Sequence, residues 1–261
     1  MRADIYLFNF GYSKSRQNAK TLIDAGNVII DTVKIPKPSF DVDDSIAHNV
    51  EIINKPRFVS RGGEKLAHAL DHFKISTVDK LCLDIGASTG GFTDCLLQNG
   101  AKRVFAIDSG HSQLDPIIEY DERVISYEKF NARFMTQEDF PFKFDLVVMD
   151  VSFISQTLIH PAIANVINDG GEFISLIKPQ FECGKAALNS QGIVKSSKQH
   201  AKAISTVIDS ATICGLSCID LTVSPIVGGT GNVEYLAHFK KCEKTQNLVS
   251  EAKINSVTRI K

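Results

Sequence analysis

Two charged residues stand where apolar segments of the chain end. Lys178 follows an apolar run that closes at Ile177, and Asp150 follows one that closes at Met149. If both runs are parallel strands, the two charges lie at the carboxyl edge of the sheet, where open sheets bind their ligands. An ammonium group at the end of an apolar strand needs a charged partner or a functional site. Such a pair can orient a hydroxyl group and assist removal of its proton.

A glycine-rich segment lies between a predicted strand and a predicted helix. It runs from Asp84 to Phe92 with the sequence D-I-G-A-S-T-G-G-F. Glycines there let the backbone approach a nucleotide-like ligand, although a plain strand-to-helix turn would also use them. The spacing is neither that of a dinucleotide-binding loop nor that of a P-loop, so those ligands are less well supported. Asp108 ends the next predicted strand, where a carboxylate can accept hydrogen bonds from both ribose hydroxyls of an adenosine.

The candidate ligand-binding residues cluster around this segment and the neighbouring strand ends. Asn131 follows the third predicted strand, on the same edge of the sheet. The full candidate set is Asp84, Gly86, Ala87, Ser88, Thr89, Gly90, Gly91, Phe92, Asp108, Asn131 and Asp150.

The elements that must position these residues follow an alternating pattern. Short apolar runs alternate with helical stretches and predict strands at Leu81–Ile85, Val104–Ile107, Val124–Ser126, Leu146–Met149 and Phe173–Ile177. The alternation predicts an α/β fold with a mostly parallel sheet and helices on both faces. Two later runs, Ser217–Val223 and Val233–Phe239, flank a glycine-rich segment and predict a hairpin-like, partly antiparallel edge that completes seven strands.

The N-terminal part of the chain has a different pattern. It predicts a helix over Ala3–Phe10, a second helix that begins near Ser13 or Ser15 and ends before Gly26, and short strands at Val28–Ile30 and Val50–Ile53. We therefore expect a small α+β domain over residues 1–58, a large domain over residues 59–242, and a polar tail over residues 243–261 that is frayed or disordered.

Composition excludes several protein classes. The chain has 261 residues, of which 43% are hydrophobic and 23% charged, with a net charge of −1, as is usual for soluble globular proteins. We find neither a signal peptide nor a membrane span, and therefore expect a cytoplasmic protein. The six cysteines show no metal-ligand spacing, so we predict reduced thiols and no metal site.

The N-terminal segment resembles a known RNA-binding domain. It carries the pattern Arg2-x-Asp4-x-x-Leu7, Gly11, Ser15-Arg16-x-x-Ala19, Ile23 and Gly26-x-Val28. This pattern is similar to the small domain shared by bacterial ribosomal protein S-four and several RNA-modifying enzymes. The resemblance implies that basic residues contact RNA phosphates, with Arg61 as a further candidate beside Arg2, Lys14, Arg16 and Lys20. A helical cap on the larger domain is the alternative.

The glycine-rich segment resembles the first motif of S-adenosylmethionine-dependent methyltransferases, specifically the FtsJ-like ribose methyltransferases with a Rossmann-like fold. The order Lys65, Asp150, Lys178 and Glu234 is similar to their lysine, aspartate, lysine and glutamate tetrad, which sequence spacing alone does not bring together. The resemblance implies that Lys178 orients and deprotonates a ribose 2′-hydroxyl and that Asp150 tunes Lys178 and lies near the cofactor. Lys65 and Glu234 would position the target.

The combination of both domains, with S-R-G-G-x-K at the join and K-P-Q-F-E after the fifth strand, resembles the TlyA family over about residues 1–240. That family implies 2′-O-methylation of cytidine in ribosomal RNA, with the large subunit as the first candidate substrate and the small subunit as the second, by an enzyme that we expect to be a monomer. The alternatives are a non-catalytic RNA-binding or ribosome-assembly factor, a base-N methyltransferase, a pseudouridine synthase, and a pore-forming haemolysin, which is the least supported.

Overall fold

The computed structural model describes residues 1–13, 15–53 and 56–259, and it divides into two compact units, Met1–Arg57 and Phe58–Lys261. In the first unit, two helices precede a three-stranded antiparallel sheet of order β2-β1-β3. The elements are α1 (Ala3–Asn9), α2 (Arg16–Asp24), β1 (Val28–Ile30), β2 (Val33–Lys34) and β3 (Val50–Ile52).

Local signals explain the helices of this unit. The Ser15 hydroxyl accepts a hydrogen bond from the Asn18 backbone N–H at 3.0 Å, so Ser15 is the cap of α2. Gly26 follows the helix with a φ of +69°, a conformation that favours glycine. Both helices and the strands β1 and β3 agree with the elements predicted from the sequence. The sequence missed β2, because a strand of two exposed residues shows no periodicity.

The second unit contains a seven-stranded sheet of order β6-β5-β4-β7-β8-β10-β9. Its strands are β4 (Leu81–Ile85), β5 (Arg103–Ile107), β6 (Val124–Tyr127), β7 (Phe144–Met149), β8 (Ile167–Ile177), β9 (Leu216–Val223) and β10 (Tyr235–Lys241). The first five are parallel, and β10 is antiparallel to both of its neighbours. The predicted α/β architecture with a mixed edge is confirmed.

Helices cover both faces of this sheet. They are α3 (Gly62–Phe73), α4 (Gly91–Gln98), α5 (Pro116–Glu119), α6 (His160–Val166), α7 (Pro179–Glu182), α8 (Ser197–Ile213) and α9 (Glu251–Val257). Apolar residues of α3 and α4 pack on one face, and those of α6, α8 and α9 on the other. Among the described residues, no helix combines the length and apolar character that a membrane crossing requires.

Two details differ from the pattern. The strand β8 begins at Ile167, before the predicted Phe173, and contains the glycine pair 170–171, where its pairing with β7 is irregular. The segment after residue 242 is not a separate polar tail. Val249 and Ile254 are buried in the core of the second unit; Ile254 belongs to α9, and Val249 lies just before that helix.

All six cysteines are free. Cys82, Cys95 and Cys218 are buried, and burial raises the pKa of the Cys82 and Cys218 thiols to about 12. These thiols are therefore unreactive core residues.

Candidate active site

The loop between β4 and α4 forms the floor of a cavity. Gly86 and Gly90 have φ values of +82° and +88°, and a Cβ atom at Gly86 would lie 2.5 Å from the carbonyl oxygen of Asp150. Ser88 adopts a φ of +48° without being glycine. Its backbone N–H donates to Asp108 Oδ2 at 2.9 Å, and the Gly110 N–H donates to Oδ1 at 2.7 Å. Asp108 thereby fixes the loop against the end of β5.

Asp84, the penultimate residue of β4, lies beneath the loop. Its side chain is fully buried, and the Thr93 hydroxyl donates to Oδ2 at 2.6 Å, while Oδ1 has no hydrogen-bond partner among the described residues. Burial raises the pKa of this carboxyl to about 7. Asp84 supports the loop and does not line the cavity.

Replacing Asp84 by asparagine should remove a pH dependence of stability. Because its pKa is raised from 3.8 to about 7, the folded protein retains a proton that the unfolded chain releases. This stabilising contribution is fully present below about pH 4 and is lost as the pH rises towards 7, with a slope of at most about 1.4 kcal/mol per pH unit. Urea unfolding of both proteins between about pH 5 and pH 8 measures it. A difference in unfolding free energy that stays constant with pH would contradict this assignment.

Two parallel neighbours, β7 and β8, bring Asp150 and Lys178 together. Lys178 Nζ lies 2.5 Å from Asp150 Oδ1 and donates a hydrogen bond to Ser152 Oγ at 2.8 Å. The lysine is 8% exposed. Its ammonium is therefore held in one place by two groups of the segment that follows β7.

A second ion pair joins residues that are far apart in sequence. Lys65, in the first turn of α3, lies with its Nζ 2.5 Å from Glu234 Oε2, and both side chains are buried. Glu234 precedes β10 by one residue, although the predicted strand began at Val233 and included it. A Cβ atom at Gly228 would lie 2.5 Å from Glu234 Oε1, which shows how tightly the glycine-rich segment packs on this carboxylate.

The loop and both lysines border one cavity of about 270 Å³. It is lined by Ser60, Arg61, Gly62, Lys65, Gly86, Ala87, Ser88, Thr89, Gly91, Phe92, Asp150, Ser152 and Lys178. A smaller pocket shares Ala87 and Ser88 with it and is lined also by Ala106, Asp108, Gly110, His111, Gln113, Leu114, Ser126 and Glu128. The arrangement offers a glycine-rich floor and two lysines in the lining, each paired with a carboxylate.

Some predicted residues lie elsewhere. Asn131 lines neither of these two pockets, because its side chain accepts a hydrogen bond from the Arg133 backbone N–H at 3.1 Å and caps a short turn. Gly90 contributes backbone shape and is absent from the lining of both pockets. The sequence reasoning missed Ser60 and Ser152. Ser152 stands two residues after Asp150, which follows β7 directly. This nearness to a strand end was the sequence signal that could have placed Ser152 in the site.

The predicted RNA-binding residues lie in different environments. Arg2 and Arg16 both donate to the fully buried carboxylate of Asp4, at 2.9 and 3.3 Å, and this pairing lowers the pKa of Asp4. The two arginines therefore stabilise the first unit while remaining about half exposed. Lys20 is partly buried, and Arg61 is exposed and lines the cavity of the second unit. Lys14 lies outside the described residues.

A mostly parallel sheet with a glycine-rich loop after its first strand and a carboxylate at the end of the next is the framework of an S-adenosylmethionine-dependent methyltransferase. Residues 58–241 match the model of the FtsJ-like methyltransferase family, and residues 1–45 match the S4 domain. The chain is a methyltransferase of the TlyA family.

The relatives cover almost the whole chain. Hemolysin A of Brachyspira hyodysenteriae is 43% identical over 92% of this chain and 99% of its own. The 16S/23S rRNA (cytidine-2′-O)-methyltransferase TlyA of Mycobacterium tuberculosis is 40% identical over 90% of this chain and 87% of its own. A solved structure described as a hemolysin of Streptococcus thermophilus is 42% identical, covers 99% of this chain and 94% of its own, and superposes with a TM-score of 0.78.

Proposed function

We propose that this protein transfers a methyl group from S-adenosylmethionine to the 2′-hydroxyl of a cytidine in ribosomal RNA. The observation that carries the proposal is the convergence of two lysine-carboxylate pairs, Lys178 with Asp150 and Lys65 with Glu234, beside one glycine-floored cavity. A base-N methyltransferase would carry a different element after the fourth strand of the sheet, where Asp150 and Ser152 stand.

The cavity fits the cofactor. A side chain at Gly86 would collide with the backbone of Asp150, so glycine lets the loop pack closely against the end of β7, and Gly86 and Asp150 line the same cavity. Gly86, Ser88 and Gly90 would shape the floor under the methionine part, and Asp108 would accept hydrogen bonds from the ribose hydroxyls. When bound, S-adenosylmethionine supplies an electrophilic methyl group on a sulfonium centre.

The chain's own residues prepare the nucleophile. A ribose 2′-hydroxyl is a weak nucleophile, so it must be oriented and must lose its proton during transfer. Lys178 lies at the cavity wall, and its neutral amine would contact this hydroxyl and take up its proton, becoming an ammonium that the Asp150 carboxylate stabilises. The contacts of Nζ with Asp150 and Ser152 fix the position of this group. Lys65, fixed by Glu234, would hold the target nucleotide from the other side.

The substrate assignment has separate support. The Mycobacterium relative is named for cytidine 2′-O-methylation in both 16S and 23S RNA. The matched S4 domain supplies a separate unit with exposed basic groups at Arg2 and Arg16, which suits contact with phosphates. We propose that the enzyme acts as a monomer on ribosomal subunits in the cytoplasm.

Mapping 2′-O-methylated positions in ribosomal RNA tests the proposal. RNA from a deletion strain should lack a cytidine methylation that returns with the wild-type gene and fails to return with Lys178→Ala. Both subunits are mapped, since the large one is expected and the small one is a second candidate. An identical methylation pattern in all three strains would overturn the assigned reaction.

Replacing Asp108 should weaken cofactor binding. Asp108→Ala removes hydrogen bonds to the ribose and the two bonds that fix Ser88 and Gly110, so the affinity should fall by roughly 1–3 kcal/mol. Calorimetric titration with S-adenosylmethionine measures the change. Asp108→Asn is the matched variant. It keeps the side-chain volume and one hydrogen-bond acceptor, so its affinity for S-adenosylmethionine should fall less than that of Asp108→Ala. An unchanged affinity in both variants would remove Asp108 from the site.

A further inference from the structure

Glu182 is a partly buried carboxylate that the mechanism above does not use. It ends α7, the helix that starts directly after Lys178. Its Oε2 accepts a hydrogen bond from Ser155 Oγ at 2.5 Å, and its Oε1 accepts one from the Gln156 backbone N–H at 3.0 Å. Desolvation raises the pKa of this carboxyl, so its burial has a cost that the two bonds offset. Glu182 is not among the residues that line the cavity.

Both donors belong to the segment 150–156, which follows β7. The segment carries Asp150 and Ser152 at its start, where they hold Lys178, and Ser155 and Gln156 at its end, where they bind Glu182. The Gln156 side chain, 1% exposed, also accepts a hydrogen bond from the Ser175 hydroxyl of β8. The two ends of the segment are thus attached to β8 and α7, the elements on either side of Lys178.

The middle of the segment has a strained backbone. Phe153 adopts a φ of +64°, which costs a non-glycine residue on the order of 1–3 kcal/mol. Its side chain is 92% exposed, so burial of the ring does not compensate for this cost. The attachments at the two ends of the segment and a contact of the Phe153 ring with Phe181 of α7, with centroids 5.2 Å apart, hold its shape.

We propose that Glu182 is a positioning residue for methyl transfer, because it ties the segment 150–156 to the helix that follows Lys178. Without it, the far end of the segment loses two bonds, and Asp150 and Ser152 no longer hold the lysine at a fixed place. A shift of about 1 Å in a reacting group can lower a rate on the order of 100-fold, so a small displacement suffices. The inference rests on the proposed function, since it assigns Lys178 to the reaction.

The test compares Glu182→Ala and Glu182→Gln with wild type, and uses Glu138→Ala as a control at an exposed position outside the site. Three quantities are measured: the single-turnover rate of ribosomal RNA methylation, the Kd for S-adenosylmethionine, and amide hydrogen exchange of residues 150–156. We expect Glu182→Ala to lower the rate roughly 10-fold to 100-fold while the Kd changes less than about 2-fold. Exchange should accelerate at the Gln156 amide and its neighbours, with the rest of the second unit unchanged.

The methylation rate of Glu182→Gln should lie between that of wild type and that of Glu182→Ala. Its carbonyl oxygen can accept from Gln156, and its amide can donate to the Ser155 hydroxyl, so the attachment survives in a weaker form. A methylation rate equal to that of wild type in Glu182→Ala would overturn the proposal. So would accelerated exchange across the whole unit, which would assign Glu182 a general structural role.

Failure of the underlying reaction gives a different result. If wild type methylates no ribose, the proposed function fails whatever the variants do. If wild type methylates and Lys178→Ala does so equally well, the role of Lys178 fails, and the positioning role of Glu182 with it. Loss of rate in Lys178→Ala together with a normal rate in Glu182→Ala would refute the positioning role alone.

Discussion

Lys178→Ala should lower the single-turnover rate of methyl transfer by roughly 100-fold or more, with little change in affinity for the cofactor or for RNA. The reason is that Lys178 Nζ is the group expected to contact the hydroxyl, whereas the β4–α4 loop is the part of the cavity expected to hold the cofactor. Lys102→Ala is the matched control, because Lys102 is an exposed lysine at the opposite edge of the sheet. Near-normal turnover by Lys178→Ala would refute the mechanism.

Lys178→Arg separates two roles of the same side chain. Arginine keeps the positive charge but does not readily lose a proton. If Lys178 must accept the proton, this variant should stay poorly active. Substantial recovery relative to Lys178→Ala would assign the lysine an electrostatic and orienting role instead. Measurement of both rates across pH distinguishes the two outcomes, since only the first role requires a titrating group.

Deleting residues 1–57 should abolish methylation of ribosomal subunits while leaving cofactor binding nearly intact. The first unit has its own buried core, and every residue that lines the candidate cavity belongs to the second unit. Calorimetry with S-adenosylmethionine and a methylation assay on purified subunits measure the two effects. A truncated protein that methylates subunits at the full rate would contradict the assigned role of the first unit.

A point variant tests the same role without removing the unit. Arg2 and Arg16 are unsuitable, because both stabilise the buried Asp4 carboxylate. Lys20→Ala is the better choice and should reduce the salt dependence of RNA binding by about one released counterion if Lys20 contacts a phosphate. An unchanged salt dependence would show that Lys20 makes no such contact.

Much of this architecture could be predicted from local patterns. Lys178 and Asp150 follow apolar strands, and parallel neighbours place their ends at one edge, so their proximity follows from the alternation alone. The pair of Lys65 and Glu234 does not follow from it, because 169 positions separate the two residues and the contact depends on the direction of β10. The bonds of Arg2 and Arg16 to Asp4 were equally unpredictable, since no sequence pattern shows that Asp4 is buried.

The reversed direction of β10 also bears on biosynthesis. Because β10 runs against β8, the beginning of β10 lies beside the end of β8, and Glu234 reaches the site from the strand that is synthesised after the other strands of this sheet. At typical synthesis rates, the 56 residues from Pro179 to Glu234 take roughly 3 to 11 seconds to synthesise. Until then Lys65 lacks the carboxylate of Glu234, and a nascent chain that ends before β10 carries the glycine-rich loop without the second lysine-carboxylate pair. The topology therefore couples assembly of the candidate site to synthesis of β10.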